Sequence, residues 1–197
     1  MMNRIHLINI GTDTTYAYDK QRQRLQDITL TDGGSVLKQN KYRYDAVDNI
    51  LGITNAADPM ALISGSKGKA TRSSNKSVAN INKANLGGAS HHTYEYDDLN
   101  RLIHASGKAK NASYDMVMTF GLMSEPLTKV QKVDSSRTAK SYDFAYKYED
   151  ENHPTAPTQI GQDHYTYDAD GNPILVVNDS TNTERKMYWD EDDRLMV

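Results

Sequence analysis

The stretch YEYDDLNRL (residues 94–102) decides the fold, because the chain writes its opening again in YAYDKQRQRL (16–25), YRYDAVDNIL (42–51) and YTYDADGNPI (165–174). Two degenerate copies follow the same plan: YKYEDENHP (146–154), with Glu149 in place of Asp, and YWDEDDRLM (188–196), with Trp189 in the second aromatic slot. The acidic positions 19, 45, 97, 149, 168 and 190 stand 26, 52, 52, 19 and 22 residues apart, so a repeating unit is interrupted by insertions.

The unit has a mechanical reading. Aromatic residues two apart share one face of a strand, which pairs Tyr16 with Tyr18, Tyr42 with Tyr44, Tyr94 with Tyr96, and Tyr165 with Tyr167. The acid that follows is Asp19, Asp45, Asp97 or Asp168, with Asp190 after Trp189; it accepts backbone N–H groups further on and starts an Asx-type turn. Three residues later come Asp48, Asn100, Gly171 or Asp193, all types that tolerate turn conformations. Apolar residues then return, as at Ile50-Leu51, Leu102-Ile103, Ile174-Leu175 and Leu195-Met196. Each unit reads as strand, turn, antiparallel strand. The first is one residue longer, with Arg22 and Gln23 before Arg24-Leu25, and a looser turn is expected there. Further strands are expected at 5–10, 25–30, 115–121 and 127–133, whereas helical periodicity is weak, its best window being 75–86.

Composition agrees with thin layers. Hydrophobic residues make up 37% of the chain, and thirteen tyrosines stand against two phenylalanines and one tryptophan. Tyrosine buries a ring while its hydroxyl still seeks a partner, which suits half-solvated sheets better than a thick dry core. The absence of cysteine rules out disulfides and Cys-based zinc sites. The opening residues lack the apolar core of a secretory signal, and no stretch approaches the roughly 18–20 apolar residues of a membrane span. Three segments follow: hairpins over 1–58, a Ser-, Gly-, Asn- and Lys-rich insertion over 59–92, and hairpins over 93–197. The insertion carries Lys67, Lys69, Arg72, Lys76 and Lys83 without an acid, and reads as a flexible, solvated linker.

The repeated Tyr-x-Tyr-Asp turns resemble the tyrosine–aspartate (YD) repeats of the rearrangement-hotspot (RHS) family, whose pattern continues with two variable residues and Gly-Arg-Leu. Arg101-Leu102 and Arg194-Leu195 match its end, Arg24-Leu25 matches with a shift of one, and the turn glycine is kept only as Gly171. The resemblance covers most of the chain outside 59–92. It implies an all-β fold of antiparallel hairpins in a curved, spirally wound sheet, part of an RHS-type shell. Related repeats occur in bacterial polymorphic toxins, in insecticidal toxin-complex subunits and in animal teneurins. The implied function is a non-catalytic scaffold of a secreted or cell-surface protein, encapsulating or presenting an effector. Its implied partners are further repeats or an effector domain of a longer polypeptide. The Asp-Pro-x-Gly core motif of the toxins is missing, so an excerpt or a truncated member is expected. The alternative is an adhesion module in which exposed tyrosines bind glycans.

Other chemistry finds no foothold, and neither a cofactor nor an enzymatic activity is expected. Asp168, Asp170 and Asn172 have the alternation of a calcium loop, but the glycine is misplaced and no Glu closes the loop. GSKGKAT (65–71) lacks the spacing of a phosphate loop, and the six histidines form no zinc motif. Nucleic acid is not an expected partner, because the basic segment has no aromatics and the tyrosine-rich segments are acidic.

Overall fold

A computed structural model describes residues 2–7, 12–32, 35–57, 88–109, 112–135 and 140–196. The fold is all-β and antiparallel. The chain divides into two compact units, Met1–Asp115 with Asp134–Thr138, and Met116–Val133 with Ala139–Val197. The first holds β1 (Met2–Leu7), β2 (Thr12–Tyr18), β3 (Leu25–Asp32), β4 (Ser35–Tyr44), β5 (Ile50–Asn55), β6 (Ser90–Tyr96) and β7 (Leu102–Ala109). Each pairs antiparallel with the next in chain order. β8 (Ala112–Phe120) is divided between the units, and the last two residues of the strand after it fall in the first. The second unit is built on β9 (Pro126–Ser135), β10 (Tyr142–Lys147), β11 (Gln159–Ile160), β12 (Asp163–Tyr167), β13 (Pro173–Asn178) and β14 (Thr183–Lys186). These also pair antiparallel in sequence. Among the described residues there is no helix, and so none able to cross a membrane.

Period-2 alternation sets the faces. In β10 the aromatic positions are half-buried and the residues between them exposed. The register of the first unit puts Tyr42 opposite Ile53, Ile53 opposite His92, and His92 opposite Gly107. The Tyr114 ring lies over Gly107, where an added Cβ would come within 2.4 Å of it; glycine is the residue that admits the ring. The other face is polar: Thr93 and Ser106 share a 2.7 Å hydrogen bond, and His104 lies between Glu95 and Asp115. Burial is correspondingly thin. Among the described apolar side chains only Ala105, Met116 and Val176 are buried, at 3%, 7% and 7% exposure.

Each Tyr-x-Tyr-Asp hairpin carries the same irregularity. Tyr44 pairs with Ile50 but Arg43 with Gly52, so Leu51 is an extra residue, and the pattern recurs after Tyr18, Tyr96 and Tyr167. Such a bulge increases the local twist of its strand pair. Period-2 reading of the sequence does not reveal it, because it depends on pairing.

β5 and β6 pair directly, so residues 56–89 connect two neighbouring strands. The strand takes in Ser90, His91 and His92, which composition groups with the insertion. Residues 58–87, with the helix window 75–86 and the GSKGKAT stretch, lie outside the described residues. Buried Asn55 closes the neck: its amide donates to the Gly88 carbonyl at 2.8 Å, and its oxygen accepts the Gln39 and Ala57 N–H groups. With the neck closed by strand residues, replacing residues 59–86 by Asn-Gly should leave a cooperative β-sheet transition in urea. Loop-closure entropy alone raises stability by up to about 1.5 kcal/mol. A loss of stability would show that the insertion supports the sheet.

Candidate functional site

The repeated turns are the most elaborate polar constructions in the molecule. At Asp97, Oδ1 accepts the N–H groups of Leu99 and Arg101, both at 2.9 Å, while Oδ2 accepts Arg101 Nε at 2.7 Å. The Asp97 N–H in turn donates to the Arg101 carbonyl. Asp45 treats Val47 and Asn49 in the same way, and Asp190 treats Asp192 and Arg194. Asp168 accepts Asp170 and Asn172 N–H on Oδ1. The third residue after each acid is left-handed, with φ of 75° at Asp48, 60° at Asn100, 88° at Gly171 and 57° at Asp193. Asn and Asp accept this conformation more readily than other non-glycine residues.

The first turn is longer but not looser. Asp19 is buried and takes three N–H groups, from Gln21, Arg22 and Arg24, besides Arg24 Nε at 2.8 Å. Gln23 supplies its left-handed residue, at φ 57°.

In five units the second aromatic joins its unit to the one before. The Tyr44 hydroxyl donates to the Leu25 carbonyl at 2.7 Å, Tyr96 to Ile50 at 3.0 Å and Tyr148 to Pro126 at 2.7 Å. Tyr167 donates to Pro157 at 2.8 Å, and Trp189 Nε1 donates to Pro173 at 2.9 Å. Leu25, Ile50, Pro126 and Pro173 each open the return strand of the preceding hairpin. Indole thus replaces phenol without loss of the bond. Burial pushes the pKa of Tyr44, Tyr96, Tyr148 and Tyr167 upward, as the neutral donor requires.

A second set of bonds runs from turn to turn. Arg24 Nη1 donates to the Asp45 carbonyl and to Asp48 Oδ1 at 3.0 Å, and Arg22 also reaches Asp48. The Asn49 amide donates to Asn100 Oδ1 at 2.8 Å, and the Asn172 amide to Asp193 Oδ1 at 2.8 Å. The donor closes one turn, and the acceptor is the left-handed residue of the next.

One turn escapes the sequence motif. Gly121–Glu125 has the same closure, Gly121 N–H to the Glu125 carbonyl at 2.9 Å, and a left-handed Ser124 at φ 65°. Here the acid has moved. Glu125 folds back to accept the Met123 N–H at 2.8 Å, and an added Cβ on Gly121 would meet its Oε1 at 1.9 Å. The carboxylate occupies the space that the Asp side chain fills elsewhere. The degenerate unit at 146–154 also departs from expectation. Asp150, not Glu149, is the cap, accepting the Asn152 N–H at 2.9 Å and pairing with His153 Nδ1 at 2.8 Å. Counted by caps, the turns begin at 19, 45, 97, 121, 150, 168 and 190, spaced 26, 52, 24, 29, 18 and 22 residues apart. The single long interval contains the insertion.

Within the calcium-like alternation at 168–172, Asp168 Oδ1 accepts two N–H groups, and Asn172 points an amide donor, not an oxygen, at Asp193. Among the described residues no cluster of three His, Cys, Asp or Glu side chains is arranged to hold a metal. An open groove of about 230 Å³ in the second unit is lined by Asp163, Asn178, Thr183 and Arg185. Its Asn178 is already bonded to Asp163, Ser180 and Thr181.

Capped turns, bulged hairpins and aromatic links make this an antiparallel sheet of repeated Tyr-x-Tyr-Asp hairpins. The same fold is found in solved structures. They are the Tc holotoxin pore of Photorhabdus luminescens (TM-score 0.55, 18% identity, 98% of this chain and 10% of that chain), the TcdB2-TccC3-Cdc42 crystal structure (0.53, 19%, 94% and 10%) and the TcdB2-TccC3 crystal structure (0.54, 18%, 98% and 10%). At such identities the likeness is one of fold, and the chain spans only 10% of the length of each of these chains. No family model and no curated protein matches the sequence.

Two predictions follow from the caps. Glu125→Ala should lower stability by about 1 kcal/mol through loss of the Met123 bond. Adding Gly121→Asp should restore it by returning the carboxylate to its usual place. Further destabilisation by the second change, read in urea titrations, would refute the exchange of roles.

Stability should also fall at both ends of the pH scale. The Arg24 side chain and the turn N–H groups hold the Asp19 carboxyl down at about 2. Backbone and side-chain bonds from Arg101 and Arg194 hold Asp97 and Asp190 below the usual range. Folded pKa values below unfolded ones give stability that is full above the unfolded carboxyl pKa of about 4 and is lost as pH falls toward the folded values. For the tyrosines the sign reverses. Their stabilisation is full below the unfolded pKa of about 10 and is lost as pH rises through the raised folded values. Tyr114 is pushed up to about 12 by burial. A thermal melting series should decline below pH ~4 and above pH ~10. Asp19→Asn should flatten the acid limb; an unchanged limb would place the acid sensitivity elsewhere.

Proposed function

We propose that this chain is a non-catalytic β-repeat scaffold, a segment of an RHS-type shell in a secreted or cell-surface, polymorphic-toxin-like bacterial protein. The shell encapsulates or presents an effector carried by the longer polypeptide. One observation carries this reading: the distinctive side chains of the repeats spend their polar groups on the sheet itself. Turn carboxylates are capped by N–H groups and guanidinium, and the second-slot hydroxyls by carbonyls of the preceding hairpin. A general acid or nucleophile needs a group free to reach substrate, whereas a wall needs its groups turned inward on its own strands. The shared fold with Tc toxin chains supports the same reading.

The test is protection. In the longer polypeptide, an adjoining effector should resist protease while the sheet is intact. It should become cleavable when Asp97→Ala and Asp168→Ala open the turns. Equal cleavage in both cases would count against encapsulation. Toxicity or hydrolytic activity from residues 1–197 alone would defeat the scaffold reading.

A further inference from the structure

The described histidine side chains bond in two ways. His91 and His92 turn Nδ1 toward the hydroxyls of Thr54 and Tyr114, both at 3.2 Å. A hydroxyl donates as readily as it accepts, so a neutral ring completes either contact. His164 meets one carboxylate oxygen, of Asp179 at 2.8 Å, which a single N–H satisfies. His104 and His153 differ, because both of their ring nitrogens face acceptors. His104, on the polar face of β7, sets Nδ1 3.3 Å from Glu95 Oε1 on β6 and Nε2 2.9 Å from Asp115 Oδ2 on β8. His153 sets Nδ1 2.8 Å from Asp150 Oδ2 in its own turn and Nε2 3.4 Å from the Ala169 carbonyl in the next. Neutral imidazole carries one N–H, and only imidazolium carries two. Neither set of contacts is complete until the ring is protonated.

We propose that His104 and His153 are proton-operated clasps, one in each unit, that fasten β6 to β8 and one turn to the next in mild acid and let go as pH rises past neutrality. The charges acting on His104 are the two carboxylates, one from each neighbouring strand. Beside it the Thr93–Ser106 pair is neutral, and Lys108 stands four residues along β7, opposite His91. The charges acting on His153 are Asp150 and Asp168, with the Tyr167 ring 6.0 Å away. Both histidines are held above the ordinary value, His104 by Asp115 and then Glu95, His153 by Asp150. A raised folded pKa gives stabilisation that is full below the unfolded value of about 6.5 and is lost as pH rises through the folded value. The carboxylate-capped turns stay intact in that range, so the links between hairpins ease while the hairpins persist. His92 is pushed down by burial and opposes the clasps in any global measurement, so the decisive readout is local. The device belongs to the sheet itself and stands whether or not an effector lies beside it.

The test uses the 197-residue chain with isotope-labelled histidine, followed by NMR from about pH 5 to about pH 9. His104 and His153 should titrate above about 6.5. Glu95→Gln and Asp115→Asn should each lower the His104 midpoint and leave His153 in place, and Asp150→Asn should do the reverse. Amide hydrogen exchange supplies the mechanical readout. With intrinsic rates corrected at each pH, opening of β6 and β8 should be about threefold greater at pH ~8 than at pH ~6, the size expected of a partly exposed ion pair. His104→Arg, charged throughout this range and able to donate to both carboxylates, should keep the slower opening at both pH values. His104→Phe should show the faster opening at both. Circular dichroism separates a lost clasp from a lost fold; if His104→Phe does not fold, His104→Arg and the two carboxylate variants decide the matter. The proposal falls if His104 titrates at or below about 6.5, if the native chain opens equally at both pH values, or if the difference persists in folded His104→Arg.

Discussion

A carboxylate folded onto the N–H groups of its own turn, in four of the turns on those two and four residues later, is the contact on which the sheet depends. The turn reverses the chain within four residues and exposes donors that no strand ladder can satisfy. In a thick domain such donors are a minor item beside the burial of carbon. Here, among the described residues, only a few apolar side chains are buried, so the balance shifts toward polar geometry. A hydroxyl-to-carbonyl bond contributes roughly 1 kcal/mol net, and whole-domain stabilities are only about 5–15 kcal/mol. One such bond per repeat is therefore a sizeable share of what holds one hairpin to the next. Tyrosine fits the task because its ring covers the neighbouring strand while its hydroxyl reaches past it.

Much of this was legible in the residues. Spacing of two put both rings on one face, and Asp, Asn or Gly three residues after the acid marked the left-handed position at Asp48, Asn100, Gly171 and Asp193. These are local effects, decided within five residues, and local effects survive in a single sequence. What remained hidden is non-local. The extra residue opposite Tyr44 or Tyr96 exists only relative to a partner strand. The bond from Asn49 to Asn100 joins residues 51 apart. The turn at Gly121–Glu125 was invisible for another reason: its acid sits four places late, and only the space beside Gly121 shows that it does the same work. Asp150 took the role expected of Glu149, capping Asn152 with one carboxylate oxygen and holding His153 with the other.

The two ends of the strands obey different rules, and this reconciles a regular structure with an irregular repeat length. In each unit the capped turns lie at one end of the hairpins, where side chains link successive turns and a changed length would break the links. The longest connection, residues 56–89, lies at the other end, between β5 and β6, with Asn55 closing its neck. Length is thus constrained where turns touch and free where they do not. Position by position the turn residues also vary in kind, with Arg, Asn or His as donor and Asp, Asn or a carbonyl as acceptor. What is held constant is the sense of the bond, donor on one turn and acceptor on the next. A rule of that form lets repeats diverge in sequence and still recognise their neighbours, and it gives the sheet a polarity along its edge that the alternating strand directions alone do not supply.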